Sequence, residues 1–246
     1  MIEFYIVFVE PESEDNIGAL ARVMANFDFK NLILVNPKVN PYGDKVKIVA
    51  REKGWEIIKN MKIYNSLDEV IDLFDINYGT TGVSSKMGNE VLRNPLTPRE
   101  FANSIYKYDG KIGIFFGRES KGFSNEELNK FDGIITIPAS EEYPIMNITH
   151  SAAIILYELF ISKNNPIRKV FKLINNQERK YLYKMFKDFV DVLPSQDYRK
   201  PFIYRGLRNL IGKALITKRE YSLLMGMLRI AKENIENCRK NKNQTL

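Results

Sequence analysis

The segment FFGRESKGFSNEELNKFDGIITIPASEEYPIMNITHSAAIILYELF (residues 115–160) contains the end of one apolar run, the whole of a second, and then a long apolar helix beginning near Asn147. The runs at 111–116 and 133–137 are rich in Ile, Phe and Gly and leave through loops marked by Gly117, Gly122 and Pro138. Short apolar runs with helical segments between them predict buried parallel strands joined by crossovers. Working outward, similar runs occur at 4–9, 32–35 and 75–80, again with helical periodicity between them. The expected first domain, residues 1–163, is therefore α/β with a mostly parallel sheet. Its helix starts are marked by Ser66-x-x-Glu69, Thr97-Pro98-x-Glu100 and Ser124-x-x-Glu127, each a capping box in which side chains satisfy the first free backbone N–H groups.

In such a sheet ligands gather at the carboxyl ends of the strands. Three candidate exits stand there: YGTTGVSS (78–85), FFGRESKGFSNEEL (115–128) and ITIPASEEYPIMN (135–147). Gly117 and Gly122 allow close backbone approach, and Ile137 with Pro138 supplies apolar walls, so the pocket suits a flat heteroaromatic ring held by main-chain groups. No G-x-G-x-x-G follows the first strand and no Walker loop is present, which argues against dinucleotide and P-loop chemistry. His150 is the only histidine, so multi-histidine metal sites are hard to build; in an apolar helix it is expected to be a packed core residue. Cys238, the single cysteine, can form no internal disulfide and no thiolate cluster.

The length of 246 residues allows one domain or two, and 44% hydrophobic with 27% charged residues is ordinary for a globular chain. There is no apolar run of about 18 residues, and the start MIEFYIVFVEPE lacks a basic region or cleavage site, so a cytoplasmic protein without membrane attachment is expected. Charge is distributed unevenly. Residues 1–165 hold 18 Lys and Arg against 23 Asp and Glu, net −5, whereas residues 166–246 hold 19 against 7, net +12. Asn164, Asn165 and Pro166 mark the boundary, and no strand is expected beyond it. Helices at about 176–192, 201–214 and 217–238 predict a small basic unit over 167–240, suited to a polyanion such as nucleic acid. Its Phe202, Tyr204 and Tyr221 fit either base stacking or the unit's own core.

At the amino end, EPESEDNIGALARVMANF (10–27) places Arg22 on an apolar helix, on the same face as Gly18 and Ala25. That small-residue face is expected to admit a second subunit or an RNA phosphate; an ion pair with Glu10, Glu14 or Asp15 is the alternative. Glu10-Pro11, Asn16-Ile17-Gly18-Ala19 and Ala21-Arg22, then Phe116-Gly117-Arg118-Glu119 with Gly122, then Ile137-Pro138 with Tyr143 and Met146-Asn147, resemble the three ordered motifs of the SPOUT RNA methyltransferases, TrmH-like branch. The segment LRNLIGKALITKREYSLLMGMLR (207–229) is similar to the C-terminal helices of TrmJ tRNA ribose 2′-O-methyltransferases.

The resemblance implies a C-terminal trefoil knot, a homodimer, S-adenosyl-L-methionine as cofactor, no metal, and methylation of a tRNA anticodon-loop ribose at nucleotide 32. Methylation of ribosomal RNA, or an RNA-binding protein that has lost catalysis, are the alternatives. Carried onto this chain, the catalytic residues would be Arg22, Asn147 and Glu119. The cofactor would lie among Thr80, Thr81, Gly82, Gly117, Glu119, Ile137, Ile145, Met146 and Asn147. RNA would meet Asn16, Arg22, Arg118, Arg205, Arg208, Lys213, Lys218 and Arg219. A guanidinium rarely gives up its proton, so Arg22 is read as fixing a phosphate and not as a base. Asn147 fits a helix N-cap as well as a substrate contact, and Arg118 and Glu119 fit loop bracing as well as substrate contact. One departure stands out. Where relatives carry serine before the Leu-Asn pair, this chain has Ile145, and any hydrogen bond from that hydroxyl is lost.

Overall fold

The computed structural model describes residues 2–82, 95–163 and 171–243. The expected boundary at 164–166 and the part of the first loop beyond Gly82 lie outside the described residues, as does the side chain of Lys213.

Strand β1 (Ile2–Val9) is central and pairs in parallel with β2 (Asn31–Val35) and β5 (Tyr108–Phe116). Its burial explains its composition: Ile6 and Phe8 enter one apolar cluster and Val7 and Val9 the other, so a strand covered on both faces has no polar alternation. Outside it lie β3 (Lys62–Tyr64), β4 (Ile76–Thr80) and β6 (Gly133–Ile135), in the order β3-β2-β1-β5-β4-β6, all parallel. The five expected strands are present. The three-residue edge strand β3 is additional to them.

Helices α1 (Glu14–Asn26), α2 (Asp44–Asn60), α4 (Pro98–Ile105) and α6 (Ile148–Ser162) contribute to the larger cluster. Helices α3 (Leu67–Ile71) and α5 (Asn125–Leu128) contribute to the smaller one. Helices α1 and α2 meet almost backbone to backbone. A Cβ on Gly18 would lie 2.6 Å from the Val46 carbonyl oxygen, and one on Gly54 would lie 3.0 Å from Arg22 N. The small-residue face around Gly18, expected to receive a subunit or a phosphate, is therefore filled by α2 of the same chain.

Helix α6 buries Ile148, Ala152, Ile155, Leu156 and Leu159. Within one chain it is not buried all round: Tyr157, Phe160 and Ile161 are exposed, and so is His150, which is not the core residue expected. Phe27 at the end of α1 extends this open face, its ring 6.0 Å from those of Tyr157 and Phe160.

Beyond residue 170 the chain first adds a strand where none is expected from the sequence: β7 (Phe171–Lys172) pairs in parallel with the start of β5. Then come α7 (Asn176–Val192), α8 (Lys200–Ala214) and α9 (Lys218–Asn243), close to the expected helices. They enclose a separate cluster of Ile174, Leu182, Tyr183, Phe186, Ile211, Ile216 and Leu228. Tyr204 and Tyr221 pack against it, whereas Phe202 remains 59% exposed.

Candidate active site

A cavity of about 480 Å³ opens at the carboxyl ends of β4, β5 and β6. Thr80, Thr81 and Gly82 leave β4, the 117–125 loop leaves β5, and Ile137 with the 144–147 segment follows β6. All nine residues expected around the cofactor line it: Thr80, Thr81, Gly82, Gly117, Glu119, Ile137, Ile145, Met146 and Asn147.

The 117–122 loop is folded tightly on itself. Gly122 takes φ +62° and its N–H donates to the Arg118 carbonyl at 2.9 Å, while a Cβ on Gly117 would lie 2.7 Å from Gly122 C. Positive φ at one glycine and a backbone approach at the other are both demands that a side chain would strain. Arg118 clamps the base of the loop. Its Nε donates to Glu10, Nη1 to Glu127 Oε2 (2.9 Å) and the Gly122 carbonyl (3.3 Å), and Nη2 to Glu127 Oε1 (2.9 Å). With 13% of its side chain exposed, Arg118 is committed to carboxylates of its own chain. The bracing alternative describes it better than the expected RNA contact. Hydrogen bonding from Arg118 holds the Glu10 carboxyl below the ordinary carboxylate range. For Glu127 burial pushes upward, but Arg118 and the Ser124 N–H outweigh it and the net shift is downward.

Glu119 reaches across to the start of α1. Its Oε2 accepts from Glu12 N–H (2.9 Å), and its Oε1 from Ser13 N–H (3.1 Å) and Asn16 Nδ2 (3.1 Å). Ser13, the N-cap residue, makes no side-chain cap, so the carboxylate of Glu119 supplies negative charge to this helix terminus from elsewhere in the chain. Asn16 continues the chain: its Oδ1 accepts from Asn147 Nδ2 at 3.2 Å. Asn147 Oδ1 in turn accepts from Thr149 N–H (2.8 Å) and Thr149 Oγ1 (2.7 Å), capping α6.

This ordering fixes what Asn147 can do. The Thr149 N–H can only donate, which sets the amide's orientation; both Oδ1 lone pairs are taken, and one N–H of Nδ2 remains. Asn147 can give a hydrogen bond to a ligand but cannot accept one. Asn16, Glu119 and Asn147, of which the first is more than 100 residues from the other two, thus form one network at the lip of the cavity.

Residues 3–157 match the model of the SpoU rRNA methylase family. The chain belongs to that family. It is 36% identical over 233 residues to the tRNA (cytidine-2′-O-)-methyltransferase TrmJ of Methanocaldococcus jannaschii, covering 92% of this chain and 98% of that one. It is 32% identical to the TrmJ of Sulfolobus acidocaldarius, covering 91% of each. The crystal structure of TrmJ from Z. mobilis superposes with a TM-score of 0.67 at 26% identity, over 92% of this chain and 97% of the other. The likeness to TrmJ extends beyond the SpoU region into the basic helices.

The remaining expected residues of this SpoU protein are dispersed. Arg22 is exposed and forms no ion pair among the described residues; Glu10 is held by Arg118 and Lys38, and Asp15 by Lys45. Arg22 does not line the cavity of its own chain. Arg208, expected on RNA, instead donates to the Lys130 carbonyl (3.1 Å) and lies 5.0 Å over the Tyr183 ring. Lys218 is paired with Glu178. Both are occupied within the chain because the helices pack closely enough to give them partners. Arg219 is exposed and Arg205 half-buried, leaving these two as candidates for phosphate contact. That Glu10 and Glu127 together hold Arg118 has no local signal in the sequence, since the Glu10 pairing spans 108 residues.

Proposed function

We propose that this chain is an S-adenosyl-L-methionine-dependent tRNA ribose 2′-O-methyltransferase that acts on the anticodon loop, at nucleotide 32. The observation that carries the reading is the convergence of the nine cofactor residues on one cavity, with the Asn16–Glu119–Asn147 network at its lip. The TrmJ relatives support tRNA over ribosomal RNA as the substrate class.

The cavity suits the cofactor on its own terms. About 480 Å³ is within the usual range for small-molecule sites, the Gly117–Gly122 approach keeps main chain at the surface, and Ile137, Ile145 and Ile148 supply an apolar wall for an adenine ring. S-adenosyl-L-methionine, held there, supplies the methyl group. Asn147 offers its remaining N–H to the ribose hydroxyl or to the methionine end of the cofactor. Glu119, its oxygens occupied by three donors at and just before the start of α1, braces the network, and Arg118 braces the loop. Arg22 fixes a phosphate beside the target ribose and lowers the cost of charge on the 2′-oxygen. Positioning of this kind is worth roughly 7–11 kcal/mol of a barrier.

Asn16 and Arg22 lie on the same helix but six residues apart, about 9 Å along and roughly 120° around the axis. Asn16 is engaged with its own chain's cleft, so Arg22 faces another way and serves the cleft of a second protomer. The open face of Tyr157, Phe160, Ile161 and Phe27 supports a homodimer. A trefoil knot over 111–160, a cytoplasmic location, and an RNA-binding role for the basic helices belong to the same reading. Among the described residues no helix is long and apolar enough to cross a membrane.

The test is incubation of unmodified tRNA with methyl-labelled cofactor, followed by nucleoside mapping. A 2′-O-methylated anticodon-loop nucleotide is expected, with turnover lost and cofactor affinity retained in Arg22→Ala. Loss of cofactor binding in that variant refutes the assigned role. Ile145, exposed at the cleft without a hydroxyl, favours a second reading, an RNA-binding protein without catalysis. A calorimetric titration showing no cofactor binding would select it.

A further inference from the structure

The joint between the basic helices and the sheet has an apolar part, where Leu173 and Leu215 join the larger cluster, and beside it a polar, charged and buried part that hydrophobic packing alone does not require. Arg179 and Tyr183, one turn apart on α7, both point at the residue that precedes β6, Asp132. Asp132 is 5% exposed. Its Oδ1 accepts from Tyr183 OH at 2.7 Å and lies 3.8 Å from Arg179 Nη1, while its Oδ2 accepts from the Asn77 N–H of β4 at 2.9 Å. Arg179, 3% exposed, donates through Nε to the Asp75 carbonyl at 2.7 Å, and neither of its terminal nitrogens has a direct hydrogen-bond partner. Helix α8 closes the same point. The Gly212 carbonyl accepts from Tyr78 OH at 3.3 Å, and a Cβ on Gly212 would lie 1.6 Å from the Asp132 carbonyl oxygen.

Charges so deeply buried are a poor source of stability, because desolvation consumes most of the Coulomb gain. What they supply is geometry: an apolar joint tolerates sliding, whereas Asp132 has one arrangement that satisfies Tyr183, Asn77 and Arg179 together. The location matters too. Asp132 immediately precedes the strand whose other end, Ile135, walls the cavity together with Ile137 just beyond it. We propose that Asp132 and Arg179 are positioning residues for the RNA, locking the basic helical unit to the head of β6 in one orientation so that RNA held by that unit meets the cleft in one register. The inference rests on the RNA methyltransferase reading. A locked unit and the cleft act on one RNA as a bivalent site; an unlocked unit binds RNA without that gain.

The experiment uses the full chain and unmodified tRNA. Asp132→Asn and Arg179→Met each leave one buried charge without its partner. Each is expected to weaken tRNA binding, measured by filter retention, at least about tenfold. KM for tRNA should rise in parallel, while kcat per cofactor-binding site and calorimetric cofactor affinity stay within about twofold. The double variant removes both charges; the amide oxygen that Asp132→Asn introduces can accept from the Asn77 N–H, and its Nδ2 can donate to the Tyr183 hydroxyl oxygen. It is expected to recover most of the tRNA affinity. Loss of structure alone would reduce the number of cofactor sites without changing KM. Unchanged tRNA affinity in both single variants, or no recovery in the double variant, overturns the proposal. Filter retention does not depend on turnover, so absence of methyl transfer by the unaltered chain would count against the methyltransferase reading and leave the lock to be judged on binding.

Discussion

Replacing Arg118 with alanine should separate the brace from the chemistry, because its guanidinium is joined to two carboxylates and a carbonyl and, on this account, to no substrate. The substitution removes four hydrogen bonds and leaves Glu10 and Glu127, 24% and 18% exposed, facing each other with only the more distant Lys38, 3.6 Å from Glu10, as a cation. Breaking a fully buried pair costs about 3–5 kcal/mol; partial exposure lowers this, and about 2–4 kcal/mol is expected. For a chain of this size that corresponds to a fall in Tm of roughly 5–12 °C near pH 7. The pH dependence is the sharper test. Both carboxyls titrate below their ordinary range in the folded protein, so the stability they gain from Arg118 is complete above that range and is lost as pH falls through their folded values. In the variant only the smaller gain from Lys38, Asn36 and the Ser124 N–H remains to be lost. The difference in Tm between the two proteins should therefore be full near neutrality and close progressively below about pH 4, as followed by thermal unfolding over a pH series. Cofactor affinity should fall as well, since Arg118 closes the 117–122 loop onto the cavity. A difference in Tm that is absent at neutral pH, or that is the same at every pH, would refute the brace.

Asn147→Asp keeps an oxygen on Thr149 and so keeps the α6 cap, but it removes the donor that serves Asn16 and the ligand. Tm is expected to stay within about 2 °C while methyl transfer is lost; Asn147→Ala should lose the cap too, at about 1 kcal/mol. Gly212→Ala puts a Cβ against the Asp132 carbonyl. It should destabilise the joint by at least about 2 kcal/mol and open the chain to limited proteolysis between β6 and α8. Substituting Arg205 and Arg219 together by alanine should weaken tRNA binding and reduce the slope of log affinity against log salt by about 0.7–0.9 for each phosphate no longer neutralised, with cofactor titrations unchanged.

Much of this fold is legible because its signals are local or continuous. Strand β1 is apolar on both faces, so residues 4–9 read as a strand without alternation. The capping boxes at Thr97 and Ser124 each need only four consecutive residues, and both form; at Ser66 the hydroxyl accepts from the Glu69 N–H but the Glu69 side chain bonds back to the hydroxyl and not to the Ser66 N–H. The cleft is legible for a topological reason, since loops at the carboxyl ends of parallel strands converge whatever their side chains. Strands β3 and β7, three and two residues long, carry too little pattern to be seen. The exposure of His150 is hidden as well, because α6 is apolar nearly all round and its sequence does not say which side the chain itself covers.

The arginines mark where pattern stops being informative. Arg22 and Arg118 both sit in motif segments with acidic residues nearby in sequence, and side-chain type gives them equal claim to RNA. They differ in what lies opposite them in space. Glu10, which could have neutralised Arg22 one helix away, is drawn instead to Arg118 across 108 residues, since β1 and β5 are adjacent and both strands end at the same edge of the sheet. With Glu127 arriving from α5, Arg118 has two carboxylates and is spent on structure; Arg22, deprived of one candidate partner, remains available. Arg208 and Lys218 show the same effect in the basic unit, where a net charge of +12 over residues 166–246 overstates the charge that faces outward. Which cations can meet an anion from solution is decided by the carboxylates and carbonyls that the fold brings to the others, and strand order determines that pairing.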